Sequence, residues 1–81
     1  MTELFYIIAD ADCAVARKAV LDGGLKEQVS FRNLDYPEVA ADFEALGGHK
    51  LPAVWDGKRL HEGLVAVTAA LSRLRISETT H

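Results

Sequence analysis

The sequence predicts a single small α/β domain in which strands and helices follow in the order β-α-β-α-β-β-α. Three observations carry this expectation. A continuous apolar run, Leu4 to Ala9 (LFYIIA), gives way within a few small or acidic residues to apolar residues at helical spacing, as when a doubly covered strand feeds a helix. A second strand pattern and a second helical pattern then lie between the glycine pairs Gly23-Gly24 and Gly47-Gly48. Finally, Asp56-Gly57 separates two short strand-like stretches, a hairpin signal, ahead of a last helical stretch opened by Gly63.

Each element has its own justification. Leu4 to Ala9 holds aromatic and β-branched residues and no charge, so this strand is expected at the centre of the sheet, buried on both faces. Asp10 or Asp12 can cap the next helix, where Val15, Ala16, Ala19 and Val20 share a stripe and Arg17-Lys18 forms a solvated face. Gln28 to Leu34 (QVSFRNL) alternates Val29, Phe31 and Asn33 against Ser30, Arg32 and Leu34, as a less buried strand nearer an edge would. Leu4 to Leu34 therefore reads as a βαβ unit with parallel strands and a right-handed crossover. The second helix starts with Asp35 as cap, Pro37 in the first turn and Glu38 three residues after the aspartate; its stripe is Val39, Ala40, Phe43 and Leu46. The last helix carries Leu64, Val67, Leu71 and Leu74 at spacings of three and four. Residues 1–76 form the domain, and Ser77 to His81 a polar, frayed C-terminal tail.

Composition narrows the function classes. A chain of 81 residues buries one core with little to spare, so at 49% hydrophobic residues most of the Leu, Val, Ile and Phe belong inside. The net charge is −3 and the basic clusters are no longer than Arg17-Lys18 and Lys58-Arg59, which argues against nucleic acid as a partner. No apolar run approaches the roughly 20 residues of a membrane span, and the N-terminus lacks a signal-peptide pattern; no membrane partner and a cytoplasmic location are expected. His49, His61 and His81 are scattered and Cys13 is the single cysteine, so neither an internal disulfide nor a zinc site is expected.

Cys13 is the residue with the most chemistry to offer. It sits where the first strand hands over to the first helix, and the unpaired N–H groups and positive dipole end of a helix N-terminus favour a thiolate there. Asp10 and Asp12 act against it, because neighbouring negative charge opposes ionisation. The alternative is that Cys13 is a small buried hydrophobe.

Three stretches resemble the thioredoxin superfamily, in particular the glutaredoxin-like proteins and the N-terminal domain of glutathione S-transferases. They are the first strand followed by Cys13-Ala14-Val15-Ala16-Arg17-Lys18-Ala19, the segment Lys50-Leu51-Pro52-Ala53-Val54, and Asp56-Gly57 through His61-Glu62-Gly63. The resemblance implies a thioredoxin-like, four-stranded mixed sheet in spatial order second, first, third, fourth. It puts the first and third helices on one face and the second helix on the other. It also implies a cis Leu51-Pro52 bond facing Cys13, with the Leu51 N–H and C=O left to pair with an extended peptide or glutathione backbone.

By the same resemblance, Cys13 takes the position of the attacking cysteine and Ala16 that of the resolving one. The implied activity is monothiol thiol-disulfide exchange: the Cys13 thiolate attacks a mixed disulfide of glutathione or of a protein, and a second glutathione regenerates it. Lys50, Leu51, Pro52, Glu62 and Gly63 become the substrate-binding candidates. Lys50 is the first cation expected to support the thiolate and Arg17 the next. No cofactor is implied beyond glutathione as co-substrate; the partner is glutathione or a protein thiol or disulfide, and the chain itself a monomer or weak homodimer. The alternative is a redox-inactive module that binds a peptide or glutathione beside Pro52 while Cys13 only packs. Exchange requires an exposed, low-pKa thiol, and the binding module a buried, slow one.

Overall fold

A computed structural model describes residues 2–79, the side chains of residues 76–79 excepted. The chain forms β1 (Thr2–Tyr6), α1 (Ala11–Asp22), β2 (Val29–Asn33), α2 (Pro37–Ala45), β3 (Ala53–Trp55), β4 (Leu60–Glu62) and α3 (Leu64–Thr79). This is the expected order, and the strands make one mixed sheet in the order β2-β1-β3-β4. β2 runs parallel to β1, while β3 is antiparallel to β1 and to β4. The Leu51-Pro52 bond is cis, as the resemblance implied. Among the described residues no helix is long and apolar enough to cross a membrane. Of the expected tail, Ser77 to Thr79 continue α3, and residues 80 and 81 lie outside the described residues.

The alternation of β1 divides the interior in two. Leu4 points into a core built with Ala16 and Val20 of α1, Val54 of β3, and Val67 and Leu71 of α3. Phe5 points the other way and packs with Val39 and Phe43 of α2 and with Ala53. Its ring lies 5.2 Å from that of Phe43. Helices α1 and α3 therefore share one face of the sheet and α2 covers the other. Beside the second core, Arg32 of β2 bonds the Glu3 carboxylate of β1 and, at 2.6 Å, that of Asp42 of α2, with its guanidinium 5.5 Å from the Phe5 ring centre.

Four local expectations are corrected. The first strand was expected over Leu4–Ala9 but runs Thr2–Tyr6: Thr2 and Glu3 find ladder partners in Val29, Ser30 and Trp55, and beyond Tyr6 the chain turns toward α1, with Ile8 exposed. Val15 lies off the buried stripe of α1, which is Cys13, Ala16 and Val20. Asp35 does not cap α2; its own N–H donates to Asn33 Oδ1, and Tyr36 occupies the cap position without a side-chain bond, leaving Pro37 to set the first turn. Arg17 is half-buried with its guanidinium 5.1 Å from the Tyr6 ring centre and its Nε without a hydrogen-bond partner, so only Lys18, paired with Asp22, belongs to a solvated face.

Gly48 closes the end of α2 directly over the Phe43 ring that fills the second core. Its N–H donates to Phe43 O at 3.0 Å, and a Cβ at this position would meet the Phe43 ring at 2.4 Å. Gly48→Ala is expected to destabilise the fold by about 1–3 kcal/mol, the usual cost of overpacking a core ring. A lowered urea midpoint with unchanged slope checks this; an unchanged midpoint would show that the loop after α2 yields freely.

Candidate functional site

The C-terminal ends of β1 and β2, the start of β3, the end of β4 and the N-termini of α1 and α3 all meet at one end of the sheet. There the ladders stop on both sides of Leu51. The β1–β3 register places Phe5 opposite Ala53, so Leu51 falls opposite Ile7, which has already left the strand. On the other flank Gly63 N–H donates to Pro52 O at 2.8 Å, and the next residue, Leu64, begins α3. Among the described residues, no hydrogen bond engages the Leu51 N–H or C=O. An open edge of this kind can take an added strand.

Around Leu51 lies a groove of about 420 Å³ lined by Asp12, Lys50, Leu51, Glu62, Gly63 and the first turn of α3. Glu62 holds its lip in place. One carboxylate oxygen, Oε1, accepts from the N–H groups of His49 at 2.6 Å and Lys50 at 2.8 Å. These bonds, that from His49 foremost, hold the Glu62 carboxyl below its ordinary value of 4.5. Gly63 has φ +89, the left-handed region that suits glycine, and its carbonyl accepts the first α3 bond from Val67. Further along the hairpin, Asp56 accepts from the N–H groups of Lys58 and Arg59 and pairs with His61 Nε2 at 2.8 Å; the histidine bond above all lowers its pKa.

Cys13 is not on the groove wall. It is the third residue of α1, fully buried, and its N–H donates at 3.2 Å to Oδ2 of Asp10, the cap. Burial pushes its thiol up to about 11, and the nearby Asp10 carboxylate adds to the rise; the Ile7 backbone and the Arg17 charge pull the other way without offsetting it. The cation that acts on the thiol is thus Arg17, where Lys50 was the first choice. Asp10 opposes ionisation as the sequence implied.

The structure brings Lys50, Leu51, Glu62 and Gly63 together, with Pro52 buried beneath them. It separates Cys13 from them by burial. Sequence reasoning missed Leu64, Val65, Ala66 and Asp12 as lining residues. A signal existed for Val65: it is an apolar residue off the Leu64-Val67-Leu71 stripe, and it is 85% exposed. Asp12 was expected as a cap or as a charge opposing the thiolate, and Asp10 fills the cap and is the carboxylate that acts on the thiol.

The Glu62 clamp has a pH signature. A carboxyl held low by the fold contributes stability that is fully present above its ordinary pKa and is lost as pH falls through its lower folded value. Urea midpoints are therefore expected to fall as pH drops below about 4.5. Glu62→Gln keeps an acceptor oxygen but loses its charge, so it is expected to cost up to about 1 kcal/mol at neutral pH, the clamp being partly solvated, and to flatten the acid limb. Parallel acid limbs in the two proteins would show that Glu62 does not hold the loop.

Compared with protein-family models, with curated proteins and with solved structures, the chain finds no match in any of the three.

Proposed function

We propose that this chain is a thioredoxin-like binding module whose groove beside Leu51 receives an extended backbone, and that Cys13 is a core residue and no nucleophile. The observation that carries this reading is the burial of Cys13. A thiol at about 11 leaves about one molecule in ten thousand as thiolate at pH 7, and that thiolate has no exposed surface from which to attack. Monothiol exchange needs both the charge and the access. The reading is supported on the binding side by the unpaired Leu51 N–H and C=O, set in a groove with apolar walls at Leu64 and Val65.

Thioredoxin-like is the fold name this reading adopts, on the sheet order β2-β1-β3-β4, the two-one division of the helices and the proline leading into β3. The superfold hosts binding members as well as enzymes, so the function rests on the site.

The test is the pH dependence of Cys13 alkylation by iodoacetamide, in folded and in urea-unfolded protein. The folded protein is expected to react slowly at neutral pH, with an apparent pKa above the ordinary thiol value, and the unfolded protein at the rate of a free thiol. Cys13→Ala is expected to leave groove binding unchanged. Rapid labelling of the folded protein with an apparent pKa below about 8.5 would return the monothiol oxidoreductase with glutathione as co-substrate to first place.

A further inference from the structure

The charges around the groove select among extended backbones. Three ionisable side chains line it: Asp12, Lys50 and Glu62. Glu62 Oε1 is taken by the His49 and Lys50 N–H groups, and the Lys50 charge also acts on Glu62. Asp12 is different. It stands exposed in the first turn of α1, and among the described residues its carboxylate has no hydrogen bond or ion pair. The groove therefore carries one negative charge in excess, on a carboxylate with nothing to satisfy it but water.

That balance discriminates between the two backbones the site could take. Glutathione carries two carboxylates against one ammonium at neutral pH, so it brings a net negative charge to a net negative groove. A peptide segment with a basic residue brings the opposite sign. The walls add an apolar requirement. Val65 is 85% exposed, and with Leu51, Leu64 and Ala66 it gives the groove an apolar wall, while the cysteine of glutathione is its one side chain without charge. Exposed apolar residues grouped around a free backbone edge fit an apolar side chain of an added strand.

We propose, resting on the binding-module reading above, that the occupant is an extended protein segment in which an arginine or lysine adjoins an apolar residue, with Asp12 selecting the basic residue and the first turn of α3 the apolar one. The Leu51 N–H and C=O then pair with the segment's backbone and set its register, while the two side chains set its identity.

The experiment follows the amide NMR resonances of Leu51, Gly63 and Val65 in the full chain during titration with three probes. These are the end-blocked pentapeptides Ser-Arg-Leu-Val-Ser and Ser-Glu-Leu-Val-Ser, and reduced glutathione. The arginine peptide is expected to bind about fivefold more tightly than the glutamate peptide, the scale of an exposed ion pair, and more tightly than glutathione. In Asp12→Asn the two peptides are expected to bind equally. Equal binding in the wild type, a preference that survives Asp12→Asn, or tighter binding of glutathione would overturn the assignment to Asp12 while leaving the groove as a binding site. If none of the three probes moves these resonances, the groove reading itself fails, and the assignment with it.

Discussion

Leu4 and Phe5 leave β1 on opposite sides, and each is fully buried in a different core. Burying a side chain of this size is worth about 1.5–3 kcal/mol, so the two together weigh heavily in a small domain stable by about 5–15 kcal/mol. A strand with both faces occupied has to be central, which fixes β2 and β3 on its flanks and requires helices above and below. It also fixes the rotation of α1 about its axis. Ala16 and Val20 must face Leu4, and a residue one turn before Ala16 then points inward as well. That residue is Cys13. A helix terminus favours a nearby charge by about 0.3–1 kcal/mol. The rise of the thiol from 9.0 to about 11 corresponds to about 3 kcal/mol in the other direction. Burial wins, and the position where a thiolate would be expected becomes packing.

The two aspartates flanking this turn show how one residue type divides into two roles over a single helical turn. Asp10 lies outside α1, where its carboxylate reaches back to the Cys13 N–H; it caps the helix and at the same time disfavours the thiolate. Asp12 lies inside the helix, where its side chain cannot make that bond, and it faces the groove. Glu62 completes the contrast. It satisfies the His49 and Lys50 N–H groups, neither of which has a strand partner, and so shapes the groove without being free to serve it.

Most of the architecture was legible because hydrophobic period and turn chemistry point the same way. The apolar run at Leu4, the glycine pairs, Asp56-Gly57 and the three- and four-residue spacing from Leu64 place all seven elements in order. The boundaries of β1 were not legible, since Ile7 and Ile8 continue the apolar run that the strand itself abandons; only ladder partners for Thr2 and Glu3 show where pairing starts. Asp35 looked like a cap because its spacing to Glu38 is right, yet Asn33 captures its N–H first. Val15 looks inward because it stands four residues before Ala19, yet the buried stripe runs through Cys13, Ala16 and Val20, which leaves Val15 at its exposed edge. The site was half legible: Lys50, Leu51, Glu62 and Gly63 do converge, but the burial of Cys13 follows from the rotation that turns Ala16 and Val20 of α1 toward the core, which no local pattern reports.

The open backbone at Leu51 and the closed environment of Cys13 have one origin. To pair Leu51, β1 would have to continue through Ile7. The chain at Ile7 instead accepts the Asp10 N–H at 3.5 Å, in the turn that brings Asp10 to its cap. Extending the strand would remove that turn, and with it the placement of Cys13, Ala16 and Val20 against Leu4. To pair Leu51 on its other flank, β4 would have to run past Gly63, where the left-handed backbone instead starts α3 and delivers Val67 and Leu71 to the same core. Both neighbours of Leu51 leave the sheet to start helices, and those helices pack together on the core that Leu4 enters. In this chain the backbone left unpaired at Leu51 is therefore a consequence of how α1 and α3 enter the core.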